Sequence, residues 1–381
     1  MKPSRVLILT GQHFVDAPRK VDLHFIADAL HAQGVPVDFV SWRLSYASRF
    51  LDDGRWTFAR SHALNRWVEA APGLEQFIWF TPIHPLNLKA PWLNALTGPL
   101  FRRFGSMLPR AIIERLPSYS HILVESGPSP LLVPAIRKAA PEAQIIYHAA
   151  DRLETINVHP VVISVLHETI GLYDSVHLMA EALRADFPPN APVFYLPHGI
   201  SKDVFDGATA NPFKTPRNAV SVGDMLFDAD VLEVLAEAYP DWTFHLFGKK
   251  AAPHQARGNI VVHGEVAFAE IAGFIKFADI GLAPYGAGEN ADYLSQSSLK
   301  MIQYTYCRLP IVAPAFAAAG RPHVCAYDPG DPASLRKAFA KAIGYDRAVI
   351  DTSAVRDWNK TVDILFSGSL VPGRSASAPE N

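Results

Sequence analysis

The chain has 381 residues, 49% of them hydrophobic and 19% charged, a globular composition with length for two ordinary domains. Its net charge of −2 excludes the basic balance of a nucleic-acid binder. Its two cysteines, Cys307 and Cys325, form no metal-ligand spacing and suit a reduced compartment as small buried side chains.

The N-terminus runs from Met-Lys-Pro-Ser-Arg into Val6–Thr10, an apolar run too short for a signal peptide and suited to a first buried strand. No apolar run reaches the ~18 residues of a membrane span, so any membrane contact is expected to be peripheral. Further strands are expected near 37–42, 77–81, 121–125, 144–148, 175–179 and 193–196. Many are apolar on both faces and alternate with helical stretches, the pattern of a doubly wound parallel α/β sheet. A stretch rich in Gly, Pro and Asn from Lys202 to Arg217 reads as a linker. A second alternating series follows, with strands near 219–222, 243–247, 260–262, 280–283 and 311–313. The expected domains are residues 1–203 and 204–381. The tail from about Gly368 is small, polar and expected to be disordered. Two such domains in tandem leave a cleft beyond the carboxyl ends of their strands, where ligands of open α/β sheets bind.

In the first half, Gln144–His148 runs into Ala149-Ala150-Asp151-Arg152. An Asp just past a buried strand can act as general base on a sugar hydroxyl, a poor nucleophile by itself. The same residue also suits a helix N-cap or an ion pair with Arg152. Glu125, at the end of the preceding strand, is the second candidate base. The loop after the first strand lacks a Gly-x-Gly-x-x-Gly fingerprint, so it does not read as a dinucleotide site. Its Pro18-Arg19-Lys20 is a basic run able to meet a pyrophosphate, an acidic lipid or solvent.

From Leu86 to Ile113 the chain interleaves Lys89, Arg102, Arg103 and Arg110 with Trp92, Leu93, Leu96, Leu100, Phe101, Phe104, Met107 and Leu108. That mixture suits an interfacial segment on anionic lipid, or an ordinary buried amphipathic helix. The stretches 42–50 and 56–67 have a similar mixture.

In the second half, Gly223, Gly248 and Gly264 each close a strand, where a backbone can approach a phosphate or base. Ser297-Ser298-Leu299-Lys300 opens an expected helix. Serines there can cap free N–H groups, the helix end favours an anion, and Lys300 adds a full charge. That suits a leaving diphosphate; a capped surface helix with a solvated lysine is the plainer reading. Gln303, one turn on, is placed to meet a ribose hydroxyl. Asp228-Ala229-Asp230 matches the Asp-x-Asp of metal-dependent transferases but is expected to cap a helix, with no metal.

The block from Tyr285 to Pro314 resembles the nucleotide-sugar segment of GT-B glycosyltransferases, with Gln303 where many retaining members have glutamate. The ordered set of similar stretches is wider. It includes His13-Phe14, His24-Phe25-Ile26, Val124-Glu125-Ser126-Gly127, Ala150–Val158, Val222–Asp228, Gly264-Glu265, Ala283-Pro284-Tyr285 and Ser297–Tyr304. Together they are similar to the GumK family of membrane-associated glucuronosyltransferases (glycosyltransferase family 70). The resemblance implies a GT-B fold of two Rossmann-like domains and an inverting transfer with no metal or other cofactor. It implies UDP-glucuronate as donor and a polyprenyl-diphosphate-linked oligosaccharide of exopolysaccharide assembly as acceptor. The implied location is peripheral, on anionic lipid at the cytoplasmic face of a bacterial inner membrane. The family's catalytic base falls on Asp151, and its nucleotide-side residues on Met225, Glu265, Tyr285, Ser297, Ser298, Lys300 and Gln303. Leu299 and the loop 286–294 depart from the family pattern, which bears on the sugar of the donor more than on its UDP. Another UDP-sugar donor such as UDP-glucose, and a non-catalytic sugar-nucleotide or lipid-glycan binding protein, are the alternatives.

Overall fold

The computed structural model describes residues 2–15, 20–50, 54–288 and 291–368. Pro18, Arg19 and the tail beyond Gly368 lie outside the described residues, as do Glu289 and Asn290 of the 286–294 loop. The chain divides into two compact units, 1–197 with 358–381, and 198–357.

The first unit holds an eight-stranded sheet. Its strands are β1 (Val6–Thr10), β2 (Val37–Ser45), β3 (Trp67–Ala71), β4 (Leu74–Thr81), β5 (His121–Glu125), β6 (Gln144–Ala149), β7 (Ser175–Leu178) and β8 (Val193–Tyr195). Their order is β3-β4-β2-β1-β5-β6-β7-β8, parallel except for β3 on β4. β1 is buried along its whole length, as a central strand covered on both faces must be. Asp38, inside β2, is a buried carboxylate that the apolar pattern does not explain. Arg5 reaches it at 2.8 Å and Arg115 at 3.3 Å, while the Tyr119 hydroxyl donates to it, so the charge is paired and hydrogen-bonded.

The second unit holds six parallel strands, β9 (Asn218–Val222), β10 (Thr243–Phe247), β11 (Ile260–Gly264), β12 (Ile280–Leu282), β13 (Ile311–Pro314) and β14 (Val324–Tyr327), in the order β11-β10-β9-β12-β13-β14. Tyr304 ties its middle together. The hydroxyl accepts from the Val222 N–H at 3.0 Å and lies within 3.3 Å of the Val220 and Leu282 carbonyl oxygens. The ring lies so close to Gly281 that a Cβ there would stand 2.5 Å from it, a position only glycine can occupy.

Two expectations on domain limits are corrected. The segment Lys202–Arg217 is not simply a linker: Lys202–Gly207 is a helix of the second unit. Phe205 is buried there against Phe268 and Tyr306, so one aromatic anchor outweighs the polar composition around it. The boundary therefore falls at Pro197, not after residue 203. The expected 204–381 domain also loses its end. The helix Trp358–Ser367 returns to the first unit, burying Trp358, Val362, Leu365 and Phe366. These stand at helical spacing on one face. They pack with Leu23, Ile26 and Leu30 of the Asp22–Ala32 helix, and Trp358 stacks on Phe25 at 5.3 Å.

Candidate functional site

β1, β5 and β6 are neighbours, and their carboxyl ends place Thr10, Glu125 and the Asp151 loop along one edge. Glu125 accepts the Thr10 hydroxyl and, at 3.0 Å, the Gly11 N–H. Burial pushes its carboxyl up to about 7, against those hydrogen bonds. Asp151 is held by its backbone. The Ser126 hydroxyl accepts the N–H of Ala150 at 3.1 Å and of Asp151 at 3.2 Å, and itself donates to the His148 carbonyl at 3.2 Å.

Burial first, then the Asp22 carboxylate, raises Asp151 above the usual carboxylate range, while His148 pulls it down. A base with a raised pKa is a stronger proton acceptor, which suits deprotonation of an alcohol. The two structural readings of Asp151 do not describe it. The next helix, Pro160–Glu168, starts nine residues further on and is capped by His159. Arg152 pairs with Asp186 at 2.9 Å. Asp151 lines a cavity of about 20 Å³ with Tyr147, Glu154 and Phe187. Lys20, the described residue of the basic run, pairs with Asp28.

In the second unit, three adjacent parallel strands close on Gly223, Gly248 and Gly264, all at positive φ (78°, 139° and 71°). The Gly223 N–H donates to Phe247 and the Gly248 N–H to Gly264. A Cβ at Gly248 would come within 3.3 Å of the Asp224 nitrogen. The glycines thus let three strand ends turn side by side. Met225 follows the first of them and Glu265 the last, both exposed and separated by the end of β10.

Tyr285, Ser298 and Lys300 come together. Ser298 occupies the N-cap of the Leu299–Tyr306 helix, but its hydroxyl does not cap it; it meets the Tyr285 hydroxyl instead. The expected capping by this serine is therefore corrected: a buried tyrosine reaches the hydroxyl first. The reading of Lys300 as a solvated surface lysine is corrected too. It is 8% exposed, and its ammonium lies 4.7 Å from the centroid of the Tyr285 ring. Burial pulls it down to about 7, opposed only in part by Asp224. A lysine whose charge burial disfavours, beside a ring face and a helix start, is a site ready for an anion, which would favour the charged form. Ser297 is half-buried just before the cap, and Gln303 is buried one turn beyond Lys300.

Asp228 does cap its helix, accepting the Asp230 N–H at 3.0 Å, and Asp230 lies 3.0 Å from His254. Among the described residues no group of three or more His, Cys, Asp or Glu is placed to hold a metal ion. Sequence reasoning missed Asp22, His148 and Asp224. A first-turn aspartate, a strand-end histidine and an aspartate after a glycine are too common to single out before folding brings them to Asp151 and Lys300.

Residues 8–179 match the family described as the N-terminal domain of the glucuronosyltransferase GumK. The UDP-glucuronate:glycolipid 2-beta-glucuronosyltransferase of Xanthomonas campestris pv. campestris is 29% identical over 367 residues, covering 96% of this chain and 90% of that protein. Among solved structures, a UDP-forming α,α-trehalose-phosphate synthase from Burkholderia xenovorans, in complex with glucose-6-phosphate, is similar with a TM-score of 0.63. It is 12% identical and covers 96% of this chain and 99% of that one. The counterpart from Burkholderia vietnamiensis is similar at 0.57, with 14% identity and coverage of 98% and 99%. At such identities the synthases speak for the fold, two parallel α/β units in tandem. The chain thus has the GT-B fold, and the match of its first half to one family, and of nearly its whole length to one relative, makes it similar to the GumK glucuronosyltransferases.

Proposed function

We propose that this protein transfers a glucuronosyl unit from UDP-glucuronate to a glycolipid, by an inverting displacement that needs no metal ion. The observation that carries this reading is the similarity, over 96% of the chain, to a relative named for that reaction. In the finer proposal the acceptor is a polyprenyl-diphosphate-linked oligosaccharide of exopolysaccharide assembly, at the cytoplasmic face of a bacterial inner membrane. The acceptor oxygen attacks the anomeric carbon while its proton passes to the Asp151 carboxylate. The bond from that carbon to the diphosphate oxygen breaks, and UDP leaves with its charge beside Lys300. Tyr285 and Ser298 fix the place of Lys300, and Ser297, Gln303, Met225 and Glu265 surround the nucleotide. Lys300 supplies the positive charge a metal supplies elsewhere, and Asp228 and Asp230 are engaged in capping and with His254.

The test is transfer by purified protein from a panel of UDP-sugars to a membrane extract, with and without EDTA. Transfer from UDP-glucuronate that survives EDTA is the expected result. A preference for UDP-glucose overturns the donor, EDTA sensitivity overturns the metal-free reading, and UDP binding without transfer to the glycolipid fraction overturns catalysis.

The membrane reading draws on the Pro91–Arg102 helix. Trp92, Leu96 and Leu100, four residues apart, form one stripe and are 69%, 72% and 47% exposed. An exposed apolar stripe on a helix marks a contact surface. Lys89 and Arg103 flank it with no ion pair among the described residues, whereas Arg102 pairs with Glu168 and Arg110 with Glu114. No described helix is long and apolar enough to cross a membrane. Phe101, Phe104 and Leu108, which the interfacial reading would put at the lipid, are buried in the protein, as the buried-helix reading has them. Replacing Trp92, Leu96 and Leu100 together by alanine is expected to lower binding to anionic liposomes at least about tenfold, since each apolar side chain contributes roughly 1.5–3 kcal/mol when buried. Sedimentation with vesicles checks it. Undiminished binding by the folded variant removes this surface from the proposal.

A further inference from the structure

His148 on β6 and His177 on β7 are both buried, inside the first unit. Their Nδ1 atoms stand 2.9 Å apart. His177 Nε2 lies 2.8 Å from the Leu196 carbonyl oxygen, and His148 Nε2 lies 2.6 Å from Oδ2 of Asp22. Asp22 is the first residue of the Asp22–Ala32 helix, where the exposed N–H groups favour a negative charge.

The hydrogen bonds assign the protons from one end. A carbonyl only accepts, so His177 carries its hydrogen on Nε2. With His177 neutral, its Nδ1 accepts, and His148 donates from Nδ1. That leaves His148 Nε2 against a carboxylate oxygen, a contact that needs one more proton. This proton lies between the ring and Asp22, so the chain is one hydrogen-bonded unit with a single shared proton at its Asp22 end.

Both carboxyls of the site edge feel this unit. Asp22 pushes Glu125 and Asp151 up, and His148 pulls both down. Among the described residues, the charged and titratable groups around it include Asp22 on the first helix, Glu125 on β5, Tyr147 and His148 on β6, Asp151 and Glu154 beyond β6, and His177 on β7. The backbone couples them as well, because the His148 carbonyl accepts the Ser126 hydroxyl that holds the Asp151 N–H.

We propose that Asp22, His148 and His177 are positioning residues that act through Asp151: their shared proton and its counter-charge determine how readily the Asp151 carboxylate takes the acceptor proton, and hence the pH range of transfer. The role in transfer rests on the reading of Asp151 as the base. The electrostatic link can be read without it.

The experiment follows the Asp151 carboxyl by carbon NMR in protein labelled at the aspartate carboxyl carbons, assigned by its loss in Asp151→Asn, alongside the pH profile of transfer. Asp22→Asn removes the larger, raising influence. It is expected to lower the Asp151 midpoint, and the acidic limb of kcat with it, by about one pH unit. His148→Gln removes the lowering influence and is expected to move both upward. A purely structural role does not move the two variants in opposite directions. If His148→Gln does not fold, Asp22→Asn decides alone, since it keeps shape at a partly solvated position. An Asp151 midpoint unmoved in Asp22→Asn overturns the proposal. Opposite NMR shifts in protein that transfers no sugar uphold the electrostatic link and reject the proposed function, whereas transfer with unmoved midpoints does the reverse.

Discussion

Replacing Asp151 by asparagine is expected to lower kcat about a thousandfold, within the 10²–10⁴ range of a positioned general base, with folding and UDP binding unchanged. Asparagine keeps the shape of the side chain and cannot take a proton. The same variant should lose the acidic limb of the pH profile. The base works only when deprotonated, and burial with Asp22 nearby raises Asp151. Transfer by the native protein should therefore fail on acidification at a higher pH than the ~3.9 of a free aspartate would give. Single-turnover rates from pH 4 to 9 measure both effects. Glu125, itself pushed up to about 7 by burial, is the comparison. If Asp151→Asn transfers normally and Glu125→Gln does not, the base is Glu125.

Lys300→Met is expected to weaken UDP binding about ten- to a hundredfold, the value of a hydrogen bond to a charged group. The sign of the pH effect follows from its environment. Without ligand, burial pulls the ammonium down to about 7, so it titrates in the neutral range. A bound diphosphate favours the charged form, so binding takes up protons, and affinity falls as pH rises above 7. Titration calorimetry in two buffers of different ionisation enthalpy reads the proton uptake directly. The methionine variant should show weaker binding with no such uptake. Equal affinity from pH 6 to 9 in the native protein would remove Lys300 from the diphosphate site.

Much of the fold was legible because parallel strands buried on both faces write themselves as unbroken apolar runs. β1, β5 and β10 begin and end where the runs predict. β3 and β14 were not seen. β3 is a half-exposed edge strand, paired antiparallel to β4 across a tight turn at Gly73, and β14 is a four-residue edge. Edges are covered on fewer sides, so their sequences carry less of the pattern. The last helix was assigned to the wrong unit because amphipathic spacing says that a face is buried and not against what.

The residue types alone determined the two parallel α/β units, the strand-end positions of Asp151 and Glu125, and the helix that starts after Ser298. These depend on local periodicity and turn chemistry, which neighbours in the chain carry. Tertiary structure alone decided that Lys300 is buried under Tyr285, that Phe101 and Phe104 are core while Trp92 and Leu96 face out, and that Asp22 meets His148 across 126 positions of chain. Desolvation and charge–charge interaction act through space, so the protonation of these groups is a property of the folded unit and is absent from any stretch of its sequence.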